Sequence, residues 1–88
     1  MYVLCLSACG NPDFGQNPYS SLGIPSIKVN INTLKEGRKI VNDYIHKYNL
    51  GGGNYNNGHV YTESGKYVGR FSYNGRFWDI NDNPVKID

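Results

Sequence analysis

The sequence predicts an α+β domain in which one amphipathic helix lies on a three-stranded antiparallel β-meander, preceded by an extended N-terminal arm. Three observations point there. A capping signature at Thr33 opens a stretch of helical apolar spacing. Three β-rich runs after residue 58 are separated by glycine turns. A nearly uncharged stretch rich in Gly, Asn, Pro and Ser sets both apart from the N-terminus. At 88 residues the chain is one small domain with a modest core, which argues against a large enclosed active site. Eight of its aromatic residues are tyrosines, so the core must accommodate phenolic hydroxyls as well as rings.

The first segment, residues 1–8, has two readings. Leu6-Ser7-Ala8-Cys9-Gly10 resembles the end of a bacterial lipoprotein signal, with an apolar lead (Met1 to Leu6), two small residues and a cysteine. The resemblance covers five residues. It implies cleavage just ahead of Cys9, a lipid anchor on the Cys9 thiol and a place in the bacterial envelope. The basic residues and length of an ordinary secretory signal are missing, and a start upstream of Met1 would supply them. The competing reading is a short buried strand, Tyr2 to Leu6, that ends in a turn at Gly10-Asn11-Pro12, with the cysteines as small core residues.

Residues 9–26 read as a linker or extended arm. Asn11-Pro12, Asn17-Pro18 and Ile24-Pro25 each bias the preceding residue away from helix, and Asp13 is the sole charge before Lys28. As a tether this stretch would separate an acylated Cys9 from the domain. As an arm it would tuck Phe14, Tyr19 and Leu22 against the domain.

The folded part is expected over residues 27–88. Ile27, Val29 and Ile31 alternate with polar residues as a short strand or lead-in. Thr33-Leu34-Lys35-Glu36 forms a capping box, so a helix should begin at Leu34. Leu34, Ile40, Val41, Tyr44, Ile45 and Tyr48 share one stripe with Gly37, and Gly51 suits the left-handed cap that ends it. The opposite face carries Lys35, Arg38, Lys39, Asn42 and His46. The β-rich runs are His59 to Thr62, Lys66 to Tyr73 and Arg76 to Asn81. Glu63-Ser64-Gly65 suits a type I turn with a glycine bulge, and Asn74-Gly75 suits a two-residue hairpin turn. That second turn pairs Phe71 with Trp78, Arg70 with Asp79 and Gly69 with Ile80. It puts Tyr67, Phe71, Tyr73, Trp78 and Ile80 on the helix, joined by Tyr61 if the first loop has three residues, and leaves Val68, Arg70, Ser72, Phe77 and Asp79 on the outer face.

Charge is uneven although the formal net is only +2. From Lys28 to Trp78, eight basic residues face three acidic ones, whereas Asp79, Asp82 and Asp88 oppose only Lys86 at the end. Candidate binding residues are therefore Arg70, Phe77 and Arg76 on the outer sheet face and Lys35, Arg38 and Lys39 on the helix. No catalytic constellation stands out. Cys5 and Cys9 lie far in sequence from His46 and His59 with no paired ligand motif, so no metal site is expected. Gly51-Gly52-Gly53 follows the helix instead of preceding one, the wrong order for a phosphate loop, and no cofactor is expected. The sequence thus predicts a non-enzymatic binding protein, first as a membrane-tethered envelope lipoprotein that contacts a protein or envelope component. The alternative is a soluble cytoplasmic interaction or inhibitor module of mobile-element type, able to contact nucleic acid through the basic helix face.

Overall fold

The computed structural model describes residues 1–87 except for the Asn57 side chain; Asp88, counted above in the acidic tail, lies outside the described residues. Six strands form one antiparallel sheet: β1 (Tyr2–Ala8), β2 (Ile27–Ile31), β3 (Tyr55–Thr62), β4 (Tyr67–Phe71), β5 (Phe77–Asp79) and β6 (Pro84–Val85). Their spatial order is β2-β1-β3-β4-β5-β6, and a single helix, α1 (Leu34–Lys47), covers one face. The fold is mostly β. The expected helix on a three-stranded meander behind an extended arm is therefore wrong, because it assigned the chain's first strand to a signal or arm.

That first strand lies inside the sheet. β1 pairs with β2 on one side and β3 on the other, and its Leu4, Leu6 and Ala8 are buried beneath the helix layer. A strand apolar on both faces reads as a continuous apolar run, which is also how a short signal core reads. Cleavage ahead of Cys9 would remove the strand that joins β2 to β3. The segment is thus the strand of the competing reading, extended to Ala8, with Cys5 and Cys9 half-buried outside the core, and nothing in the structure supports a lipoprotein signal or an envelope assignment.

α1 begins at Leu34 as the capping box predicts. Thr33 Oγ1 accepts from Glu36 N at 3.1 Å, and Glu36 Oε2 accepts from Asn32 N at 3.2 Å. The stripe buries Gly37, Val41, Tyr44 and Ile45. A Cβ on Gly37 would lie 2.8 Å from Ile31 Cδ1 and 3.0 Å from Phe71 Cε2, so the bare glycine sets how closely helix and sheet approach. The helix ends earlier than the glycine run suggests. Asn49, at φ 52°, takes the left-handed position, and Leu50 N closes onto Ile45 O at 3.0 Å.

The C-terminal meander repeats one turn three times. Thr62 N bonds to Lys66 O, Ser72 N to Arg76 O, and Asp79 N to Asn83 O, each at 2.8–2.9 Å. The residue before each return, Gly65, Gly75 or Asp82, has positive φ. These are three-residue loops of type I turn plus bulge. The Glu63-Ser64-Gly65 loop is as expected, but the Asn74-Gly75 turn is longer by one residue. Phe71 therefore pairs with Phe77, Arg70 with Trp78 and Gly69 with Asp79. This one-residue slip exchanges the faces of β5. Phe77 enters the core at 2% exposure and meets Phe71 edge-on at 4.9 Å, while Trp78 moves outward. Gly69 makes room for Phe77 and not for the helix: a Cβ there would lie 2.7 Å from Phe77 Cζ.

The buried cluster joins Leu4, Leu6, Ile31, Val41, Val60, Phe71 and Phe77 between sheet and helix. Tyr55 belongs to it too. Its hydroxyl donates to Phe71 O and accepts from Gly58 N, both at 2.8 Å.

Candidate functional site

The face of the sheet away from α1 carries one side-chain ladder across all six strands. Through successive backbone pairings it runs Lys28, Cys5, His59, Arg70, Trp78, Pro84. A second row places Asn30, Val3, Tyr61 and Tyr67 beside it, the last brought into line by a bulge between Val60 and Tyr61. Residues directly opposed across strands share a face, so the ladder follows from register alone.

Toward its β6 end Trp78 is half-buried, with the Arg70 guanidinium carbon 5.7 Å and that of Arg76 5.9 Å from the ring centroid. Both lie within cation–π range. Trp78 Nε1 donates to Ser72 Oγ at 3.3 Å. Arg70 Nη2 meets Asp82 Oδ1 at 3.1 Å, so its acidic partner is on the β5–β6 turn and not the expected Asp79. Arg76 is exposed and has no ion pair among the described residues. Next to this group, His59 Nδ1 and the Tyr67 hydroxyl are 3.2 Å apart, and Tyr61 packs edge-on to Tyr67 at 5.5 Å. Burial raises the Tyr67 pKa above its ordinary value, with Tyr61 and Asp82 adding to the rise and Arg70 opposing it.

Of the residues singled out from sequence, Arg70 and Arg76 thus meet on the open face around Trp78. Phe77, expected beside them, is in the core. Arg38 is half-buried between α1 and the end of the chain, where Nη2 donates to Ile87 O at 2.8 Å. With Arg76, Asn74 and Phe77 it lines a cleft of about 410 Å³. Lys35 is exposed, and Lys39 Nζ pairs with Asp43 Oδ2 at 2.9 Å. The basic helix face is thereby partly committed to internal contacts. Cys9 directly follows β1, with its N–H on Asn54 O at 2.9 Å.

The second surface was missed by sequence reasoning. The loop over residues 9–26 neither trails as a tether nor tucks its apolar side chains away: Phe14 is 78%, Tyr19 96% and Leu22 41% exposed. Its backbone is nevertheless held. Gly10 N donates to Ser20 O at 2.9 Å and Asn11 N to Gln16 Oε1 at 2.9 Å, while Asn54 Nδ2 reaches both Cys9 O and Gln16 Oε1 at 3.0 Å. Asn11, Asn17 and Ser20 side chains each accept from the N–H two residues on. Leu22 takes φ 58°, a costly conformation for a bulky residue. The pattern of Asn and Ser two residues before Asp13, Tyr19 and Leu22 was the signal for these local turns.

Among the described residues no three His, Cys, Asp or Glu side chains come together as metal ligands, and no helix is long and apolar enough to cross a membrane. Comparison of the chain with protein-family models, curated proteins and solved structures finds no match.

Proposed function

We propose that this chain is a non-enzymatic protein-binding module that inserts the loop over residues 9–26 into an apolar cleft of its partner. The observation that carries the reading is the exposure of Phe14, Tyr19 and Leu22 on a loop whose backbone is fixed by hydrogen bonds. Aromatic side chains concentrate binding energy at interfaces, and a loop already ordered loses little entropy when it docks. Leaving these side chains in water costs hydrophobic free energy that a cleft would recover. Long loops without regular structure in compact domains are commonly functional, and this one holds only a single 3₁₀ turn, Pro12–Phe14. Near-neutrality of the loop, with Asp13 its one charge, matches an apolar cleft better than a charged surface.

A photo-crosslinking residue at Tyr19, introduced into the protein in its native cell, tests this. A discrete adduct is expected, and F14S/L22S in the same chain should abolish it while leaving the thermal melt unchanged. An adduct indifferent to those substitutions, or none, would refute the reading.

A further inference from the structure

We propose that the Arg70–Trp78–Arg76 cluster on the open sheet face docks an acidic peptide segment. The proposal rests on the binding-module reading but uses a different surface. Neither paired row on this face, from Lys28 to Pro84 or from Asn30 to Tyr67, contains a carboxylate. One carboxylate does reach the cluster from the side. Asp82 projects from the β5–β6 turn at φ 61° and binds Arg70 Nη2 at 3.1 Å. The chain thus supplies Arg70 with an internal copy of the group it recognises. Arg76, on the same indole, has no such copy among the described residues and is the open position for an incoming carboxylate.

Charge complementarity makes the occupant anionic, and the aromatic geometry favours a peptide over a nucleic acid. A single-stranded nucleic acid binds such a face by stacking bases on free aromatic planes. Here two guanidiniums already crowd the indole, and the Tyr61 and Tyr67 rings stand edge to face at 63°. Guanidiniums held beside a tryptophan present N–H groups to a carboxylate while the ring supplies contact area, the combination that recurs at protein-interface hot spots.

Asp82 gives the proposal its sharpest consequence. Since it competes for Arg70, removing its charge should strengthen binding. Asn is well tolerated at positive φ, so D82N keeps the turn.

Trp78 is the chain's one tryptophan, so its fluorescence reports on the site directly. The full-length protein is titrated with an end-capped glutamate dodecamer and, separately, with an oligothymidylate of the same length. A saturable change with the glutamate peptide is expected, weakening as salt is raised. R76Q, at an exposed position, should weaken it about tenfold, and D82N should tighten it about threefold. No saturable change with the glutamate peptide, R76Q binding as the parent does, or D82N binding no tighter would each overturn the assignment. So would oligothymidylate binding as tightly as the peptide, which would give the face to nucleic acid. A chain carrying F14S/Y19S/L22S should titrate with the glutamate peptide like the parent, so failure here and failure of the loop reading are distinguishable.

Discussion

The two faces of the sheet are built from alternate residues of the same strands yet obey different rules. On the covered face, Leu4, Val60, Phe71 and Phe77 are almost completely buried, and Phe71 together with Ile31 closes on Gly37 of the helix, so shape decides what fits. On the open face the neighbours of those residues, Cys5, His59, Arg70 and Trp78, are only half-buried; Arg70 meets Trp78 in a cation–π contact, and His59 meets Tyr67 through a tilted ring pair and a polar contact. Phe77 and Trp78 are adjacent in sequence and comparable in size, but they belong to different systems. The lesson is that size and hydrophobicity do not assign an aromatic residue to a core; register does.

The largest effect should therefore separate that adjacent pair. Phe77→Ala leaves a cavity against Phe71 and should destabilise the fold by about 3–5 kcal/mol. Trp78→Ala loses partial packing, one hydrogen bond and two cation–π contacts, and should cost about 1–2 kcal/mol. Chemical denaturation of both variants checks this. Equal losses would mean the faces are not distinct, and a larger loss at Trp78 would restore the two-residue turn.

That turn also shows what was legible in the sequence. The helix start, its buried stripe, the alternation of β2 and the Glu63-Ser64-Gly65 loop depend on contacts within a few residues, and local chemistry specifies them. The β4–β5 register failed because Asn74-Gly75 satisfies two turn types at once. The frame Ser72-x-x-Gly75-Arg76 repeats Thr62-x-x-Gly65-Lys66, and reading both hairpins by the same rule would have placed Phe77 inside. β1 failed for a non-local reason, since only the pairing with β2 and β3 distinguishes a central strand from a short signal core. Arg70 was found because the slip exchanges the faces of β5 and not of β4, and Arg76 because a charged residue flanking a turn stays near a surface in either register. Their partner Trp78 was lost with the register, and the exposure of Phe14, Tyr19 and Leu22 was hidden because apolar residues in a linker-like segment carry no mark of which way they face.

The tyrosines sharpen the contrast at high pH. Burial pushes Tyr55 on the covered face up to about 12 from 10.0, although the N–H of Gly58 opposes the rise. Because the folded-state pKa is the higher, the stabilisation is complete below pH 10 and is lost as the pH climbs from there through about 12. The loss at the upper end is about 2–3 kcal/mol. Tyr55→Phe should lower stability at neutral pH by about 1–3 kcal/mol, since Phe71 O and Gly58 N lose their partner, but should flatten much of the alkaline decline. Tyr67→Phe on the open face should leave most of that decline in place. Urea denaturation midpoints across the alkaline range measure both, and an equal flattening by Tyr67→Phe would contradict the difference between the faces.

The smallest effect concerns the outward side of α1, which belongs to neither face. Lys39 and Asp43 form a close pair at 2.9 Å, but their side chains are 78% and 65% exposed, so water and salt screen most of the attraction. The order is also the weaker one for a helix, with the cation nearer the N-terminus. Lys39→Ala removes the pair and installs the best helix former, two terms of a few tenths of a kcal/mol that oppose each other. Its stability should lie within about 0.5 kcal/mol of the parent at any salt concentration. Its binding of acidic peptide at Trp78 should be unchanged, because Lys39 sits on the helix and the cluster on the far side of the sheet. A substantial loss of peptide binding in this variant would mean that the attraction comes from the basic charge of the whole domain, and that the placement of Arg70 and Arg76 around Trp78 is not what selects the ligand.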